Sequence, residues 1–191
     1  PAAQLKELVD PLTPPKDNDD LFPKAHLGEA RPLIDGMQIG TVHMGVITNG
    51  PVANFLPEIA AFEMPFLFDS PAQAYKVLDG EVGQKVLGKL DAINLKGLAY
   101  AERGFRNLTN SKRPVKIPAD MVGLKIRVME NPVYIVTFKT LGTNAVPMAW
   151  TEALTALQQG TIDGQENPVN VIYSFKLSET QKFLSMTQHS Y

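Results

Sequence analysis

Arg127, Trp150 and Asn167 carry the side chains in this sequence best suited to recognising a small molecule. Arginine offers a permanent cation whose planar fork matches a carboxylate at two points. Tryptophan supplies an aromatic face, and Trp150 is the only one in the chain. Asparagine supplies a donor and an acceptor together. Converging on one crevice, the three would form a receptor for a small organic carboxylate. An ion pair with a carboxylate such as Glu166 is the other role open to Arg127, and Trp150 could equally be a core residue. Asn167 precedes Pro168, which favours extended backbone and can hold the amide out of any helix.

Other chemistries find less support. His26, His43 and His189 lie far apart and lack metal-ligand spacing. His43, inside an apolar run, reads as structural. No GxSxG, Walker A or GxGxxG signature supports acyl, phosphoryl or hydride transfer. Asp163 and Glu166 could do acid–base work, but such residues more often cap helices and turns. Arg103 and Arg106 flank a crossing into the second half of the chain, as surface arginines or as the floor of a cleft. No catalytic residue, metal or cofactor is assigned.

The elements that must position these residues are short. Apolar runs at 124–128, 144–147 and 161–163 alternate with helical patterns over 133–141 and 152–159, which indicates an α/β unit with a largely parallel sheet. Ligands gather beyond the carboxyl ends of such strands. Arg127 falls at the end of the first strand, Trp150 just past the second and Asn167 just past the third. Alternation puts Leu124, Ile126 and Val128 on one face of the first strand, with Lys125 and Arg127 on the other.

Upstream, residues 2–9 read as the end of a helix, 11–20 as a proline- and acid-rich loop, and 21–23 are too short to assign. A helix is expected over 28–37 and a strand over 41–47, closed by the turn TNGP at 48–51. Residues 57–68 form a buried bend, because Pro65 breaks any helical ladder. Residues 72–90 are helical, in two pieces around Gly80 and Gly83. A strand at 97–102, a proline-punctuated connector at 112–120 and a final helix over 173–184 complete the chain. MQIGTV (37–42) and LQQGTI (157–162) echo each other, each closing a helix on a glycine, Gly40 or Gly160, in the left-handed cap position.

Composition sets outer bounds. The chain is 44% hydrophobic and 20% charged, with a net charge of −2, ordinary for a globular protein of one large or two small domains. That charge gives no reason to expect nucleic acid or an anionic membrane as partner. The absence of cysteine excludes disulfides and leaves the redox compartment open. No apolar run approaches the ~18 residues of a membrane span. No basic segment followed by an apolar core opens the chain, so a secretory signal is expected to have been removed or never to have existed.

GLKIRV (123–128), LGTNAVPMAWTEALTALQQGTIDGQENPVNVIY (141–173), FPKAHLGEARPL (22–33) and EIAAFEMPFLF (58–68) together resemble the extracytoplasmic solute-binding proteins of TRAP transporters, the DctP-like group. The resemblance covers about 21–191. It implies an α/β, two-lobed, type II-like periplasmic binding protein with parallel or mixed sheets flanked by helices, hinged near Gly104, with lobes at 1–103 and 104–191. It further implies a monomer that closes on a small organic acid and delivers it to TRAP membrane permease subunits. Arg127 would bind the carboxylate, Trp150 and Asn167 would line the site, and Arg106 would add a second cation. C4-dicarboxylates, hydroxy acids, sugar acids, 2-oxo acids and other monocarboxylates all stay open as substrates, with the second cation leaning towards a dicarboxylate or a hydroxylated acid. Thr48 and Asn49 would be the first lobe's contact loop, with Glu29 a further contact. Family members also begin with a strand and a ligand-touching loop, and continue past TQHSY with return strands and a long bracing helix; by that measure the chain is part of a mature protein. Two readings from other classes stand beside it. One is an α/β enzyme anchored by Arg127, with Asp163, Glu166 or Glu63 as base. The other is a regulator's effector domain, which would require a DNA-binding helix-turn-helix that the chain lacks.

Overall fold

A computed structural model describes residues 27–191. The readings for 2–9, 11–20 and 21–23, and His26, lie outside the described residues. Among the described residues four helices precede the first strand: α1 (Ala30–Gln38), α2 (Asn49–Val52), α3 (Pro71–Leu78) and α4 (Glu81–Gly88). A 3-10 segment, Pro57–Glu63, stops before Pro65 and buries Ile59 and Phe62, while Met64, Phe66 and Leu67 are exposed, so the expected bend is buried only in part. A second 3-10 segment follows α4 at Lys89–Ile93. Ser70 starts α3 by accepting a hydrogen bond from the Gln73 N–H, with Pro71 at the first helical position. These pieces pack around Ile34, Leu56, Ile59, Phe62, Ala74 and Leu87.

The rest of the chain is β1 (Arg106–Asn110), β2 (Lys125–Val128), α5 (Pro132–Thr140), β3 (Asn144–Pro147), α6 (Trp150–Gln159), β4 (Gly164–Pro168), α7 (Val169–Ser174) and β5 (Phe183–Ser190). The strands form one mixed sheet in the order β3-β2-β4-β1-β5. β2 pairs in parallel with β3 and β4, while β1 runs antiparallel to β4 and β5. Ile126 and Val128 face a cluster with Leu108, Tyr134 and Phe138. On the opposite face Leu157 and Ile162 pack with Leu177, flanked by Trp150 and Phe175. This is the α/β class expected, with helices on both sides of a mixed sheet. The paired glycine caps are present too: Gly40 has φ +80 and Gly160 φ +68.

Four expectations need correction. Residues 41–47 and 97–102 are not strands, because a strand exists only through its ladder partners and nothing among the described residues pairs with either. Val46 and Leu98 are accordingly exposed, and so is His43. The third strand of the α/β unit begins at Gly164, not at 161. Residues 161–163 instead close α6, with the Thr161 N–H on the Ala156 carbonyl, while Asp163 bonds the Lys125 backbone through both its own N–H and its carboxylate. Finally, 173–184 is not a helix. α7 ends at Ser174, Lys176 adopts a left-handed φ of +51, and the chain enters β5 at Phe183. Phe183, Ser185 and Thr187 are more buried than Leu184, Met186 and Gln188, a period of two.

Candidate functional site

Arg127 is the third residue of β2 and is 4% exposed. Its Nε and Nη2 donate to the Met148 carbonyl at 2.9 and 2.7 Å. Its guanidinium carbon lies 5.4 Å from the centre of the Trp150 ring. Among the described residues no carboxylate comes within ion-pair distance of it. Burial lowers its pKa to about 10, Glu166 pulling the other way and Arg106 adding to the fall, so it is a cation at neutral pH. The Nη1 side of the fork has no acceptor among the described residues.

Trp150 reaches that position as the first residue of α6, directly after Ala149 in extended backbone. Its indole presents a face to Arg127 and stands edge-on to Phe175, ring centres 5.2 Å apart. The ring thus packs against the Leu157 cluster while presenting its face to Arg127.

Asn167 lies inside β4, not past the end of the strand, because the strand starts three residues later than expected. Its Nδ2 donates to Gln165 Oε1 at 2.6 Å and its Oδ1 accepts from Arg106 Nη2 at 3.1 Å. Gln165 donates to Thr109 Oγ1, which donates on to Gln181 Oε1. Asn167 is therefore held in one orientation by a buried polar chain.

Arg106, at the start of β1, has a full partner. Its Nε donates to Glu166 Oε2 at 2.5 Å and its Nη2 to Oε1 at 2.9 Å and to the Glu166 carbonyl at 2.8 Å. It lies 5.5 Å from the Tyr134 ring centre. His189 Nε2 stands 3.1 Å from the same carboxylate. Burial would push the Glu166 carboxyl up, but the Arg106 charge and the hydrogen bonds from His189 and Arg106 outweigh it and hold it down to about 2. Burial would likewise lower the Arg106 pKa, and the facing Glu166 reverses that into a rise.

The first-half residues are placed differently again. Thr48 Oγ1 accepts from Arg103 Nη1 at 3.0 Å. Asn49 opens α2 near the buried Glu63, whose carboxyl is pushed up by burial against the opposing influence of Tyr134, Arg106 and Asn49. Glu29 precedes α1, and its carboxylate accepts the backbone N–H groups of Thr151 and Trp150. The structure thus gathers Arg127 with Trp150 and Arg106 with Asn167, brings Glu29 to Trp150, and engages Thr48 with Arg103. Sequence reasoning missed His189, Gln165 and Tyr134 as members of this polar centre, and Met148 as the acceptor that orients Arg127. The alternation in FLSMTQHS was the available signal for His189.

Arg127 is thus a buried cation under the Trp150 indole, without an acidic partner among the described residues, near the end of a strand in an α/β sheet. The profile described as bacterial extracellular solute-binding protein, family 7 (DctP), matches residues 2–191, and the chain belongs to that family. Family 7 is a family of transport solute-binding proteins, not of enzymes. The 2,3-diketo-L-gulonate-binding periplasmic protein YiaO of Escherichia coli is 43% identical over 190 residues, all of this chain and 58% of that protein. A TRAP periplasmic solute-binding protein of Polaromonas sp. JS666, solved bound to D-erythronate, is 49% identical, with a TM-score of 0.87 over 89% of this chain and 56% of that one. The sugar acid binding protein DctPAm of Advenella mimigardefordensis, solved with galactonate, is 42% identical, with a TM-score of 0.96 over 99% of this chain and 61% of that one. The chain thus spans little more than half the length of these relatives.

Proposed function

We propose that this chain belongs to the periplasmic solute-binding component of a TRAP transporter, and that it captures a small hydroxylated monocarboxylate through Arg127. The observation that carries the proposal is the burial of the Arg127 guanidinium without a counter-ion among the described residues. A buried cation in that state is costly until an anion arrives, and a planar guanidinium suits two-point contact with a carboxylate. Trp150 walls the site and Asn167 offers its oriented amide to a ligand hydroxyl. Two lobes, 1–103 and 104–191, close on the acid about Gly104, whose φ of +84 suits a hinge position, with Thr48 and Asn49 approaching from the first lobe. Membrane permease subunits then receive the ligand unchanged.

The charge balance decides between substrate classes. Arg106 already has Glu166 as partner, which leaves Arg127 as the buried arginine without an acidic partner among the described residues and favours one carboxylate over two. The relatives solved with D-erythronate and galactonate bind acids of that kind. Calorimetry on the full-length protein with D-erythronate, D-galactonate and succinate tests this. The two hydroxy acids should bind more tightly than succinate, at about one per chain. Tighter binding of succinate would show that Arg106 is available to a second carboxylate and would sink the charge argument.

A further inference from the structure

The first N–H groups of α6 find their acceptor at the other end of the chain. The Glu29 carboxylate accepts Thr151 N–H at 2.9 Å and Trp150 N–H at 3.3 Å, across more than 120 residues. Ala149, the residue preceding α6, has no side chain that could do this, and Glu29 makes no side-chain cap to its own helix α1. α1 is packed through Ile34 into the first apolar cluster, whereas α6 is packed through Leu157 against the sheet. The contact therefore joins two separately packed parts of the molecule. It does so at Trp150, the residue that covers Arg127.

We infer that Glu29 is a latch and not a ligand contact: its carboxylate caps α6, holds Trp150 over Arg127 and stabilises the ligand-retaining arrangement without touching the ligand. The inference rests on the reading of Arg127 as the acid-binding residue. A carboxylate at a helix N-terminus satisfies free N–H donors and meets the positive end of the helix dipole. A contact that stabilises the ligand-retaining arrangement slows escape from it, so its loss should accelerate release more than it slows capture.

The test uses full-length protein with D-galactonate as probe and two variants, Glu29→Ala and Glu29→Gln. In ligand-free Glu29→Ala, hydrogen exchange at the Trp150 and Thr151 amides should quicken about 5- to 20-fold, the range of a lost helix cap. Dissociation of D-galactonate, followed by stopped-flow Trp150 emission, should quicken by a similar factor while association stays within about twofold. Glu29→Gln, which keeps a carbonyl acceptor but loses the charge, should fall between. Unchanged amide exchange in Glu29→Ala would overturn the latch whatever the ligand. Faster exchange with unchanged dissociation would overturn it too, leaving a helix cap with no bearing on retention. Failure of the wild type to bind D-galactonate or any other organic acid would overturn the acid-binding reading and the retention role with it, while exchange still decides whether Glu29 holds α6.

Discussion

Arg106 and Arg127 are buried to the same depth, 4% exposed each, and their surroundings treat them in opposite ways. Around Arg106 the charge is matched: Glu166 accepts from both Nε and Nη2, His189 reaches the same carboxylate, and Tyr134 lies under the guanidinium. Around Arg127 there is a carbonyl dipole and an indole face but no opposite charge among the described residues. Removing two ions from water is tolerable when their geometry is good and their remaining donors and acceptors are satisfied. The Arg106 centre meets that condition without any ligand, and the Arg127 centre does not. On the function proposed above, one arginine belongs to the scaffold and the other to the receptor. Exposure alone could not have told them apart; the identity of the partner does.

The largest effect should come from breaking the matched centre. Glu166→Gln leaves Arg106 as a lone buried charge, and such losses cost ~3–5 kcal/mol. Urea unfolding of ligand-free protein should show a fall of that size. A variant as stable as the wild type would mean that Arg106 is not scaffold and that the contrast is false.

Acid should reach the same centre by another route. Glu166 is held down to about 2 from an ordinary 4.5. Its folded-state value lies below its unfolded one, so its contribution is fully present above about pH 4.5 and is lost as the pH falls through about 2. The integrated effect is roughly 3 kcal/mol. Urea midpoints measured from pH 5 to pH 2 should trace it, and the slope should flatten in Glu166→Gln. An equally steep profile in the variant would assign acid sensitivity to other carboxylates.

Arg127→Ala should do the reverse of Glu166→Gln, weakening binding while leaving the ligand-free fold alone. Loss of a charge-assisted contact predicts an affinity fall of about 30-fold or more, near 2 kcal/mol, with stability changed by less than about 1 kcal/mol. Arg127→Lys keeps the charge but not the fork, so it too should bind poorly. If lysine preserves affinity while alanine lowers the melting temperature sharply, Arg127 is scaffold after all.

The two centres were not equally legible in the sequence, for a structural reason. Arg127 and Trp150 follow from local pattern: a four-residue strand with clean alternation, then a helix start just beyond a short strand. The Arg106 centre is built by three strands that are distant in sequence, β1, β4 and β5. Reading 173–184 as a helix hid β5, so His189 had no visible neighbour. Starting β4 at 161 left Asn167 outside the strand and obscured its line with Gln165. Residues 41–47 and 97–102 failed for another reason, since strand character in a pattern becomes a strand only beside a partner. Glu29, placed among the ligand contacts by resemblance, turned up at the head of α6 because capping across more than 120 residues leaves no local signal.

The smallest effect should come from Trp150, and it tests what surrounds the unpaired cation. An indole face over a guanidinium is worth about 0.5–2 kcal/mol depending on how dry the site is. The ring also packs edge-on against Phe175, so a loss of affinity alone would not separate stacking from packing. Two substitutions do. Trp150→Leu removes the aromatic face but fills much of the space, and Trp150→Phe keeps a weaker face. If the quadrupole steadies Arg127, the dissociation constant should rise about three- to tenfold for leucine and less for phenylalanine, with both variants melting close together. If the ring acts only as core, affinity should instead follow the melting temperatures of the two variants, and the aromatic character of the replacement should be irrelevant. The wild type offers a check that requires no substitution. Trp150 is the only tryptophan, so an acid bound beside Arg127 must perturb its emission, and a flat titration at saturating ligand would place the acid elsewhere.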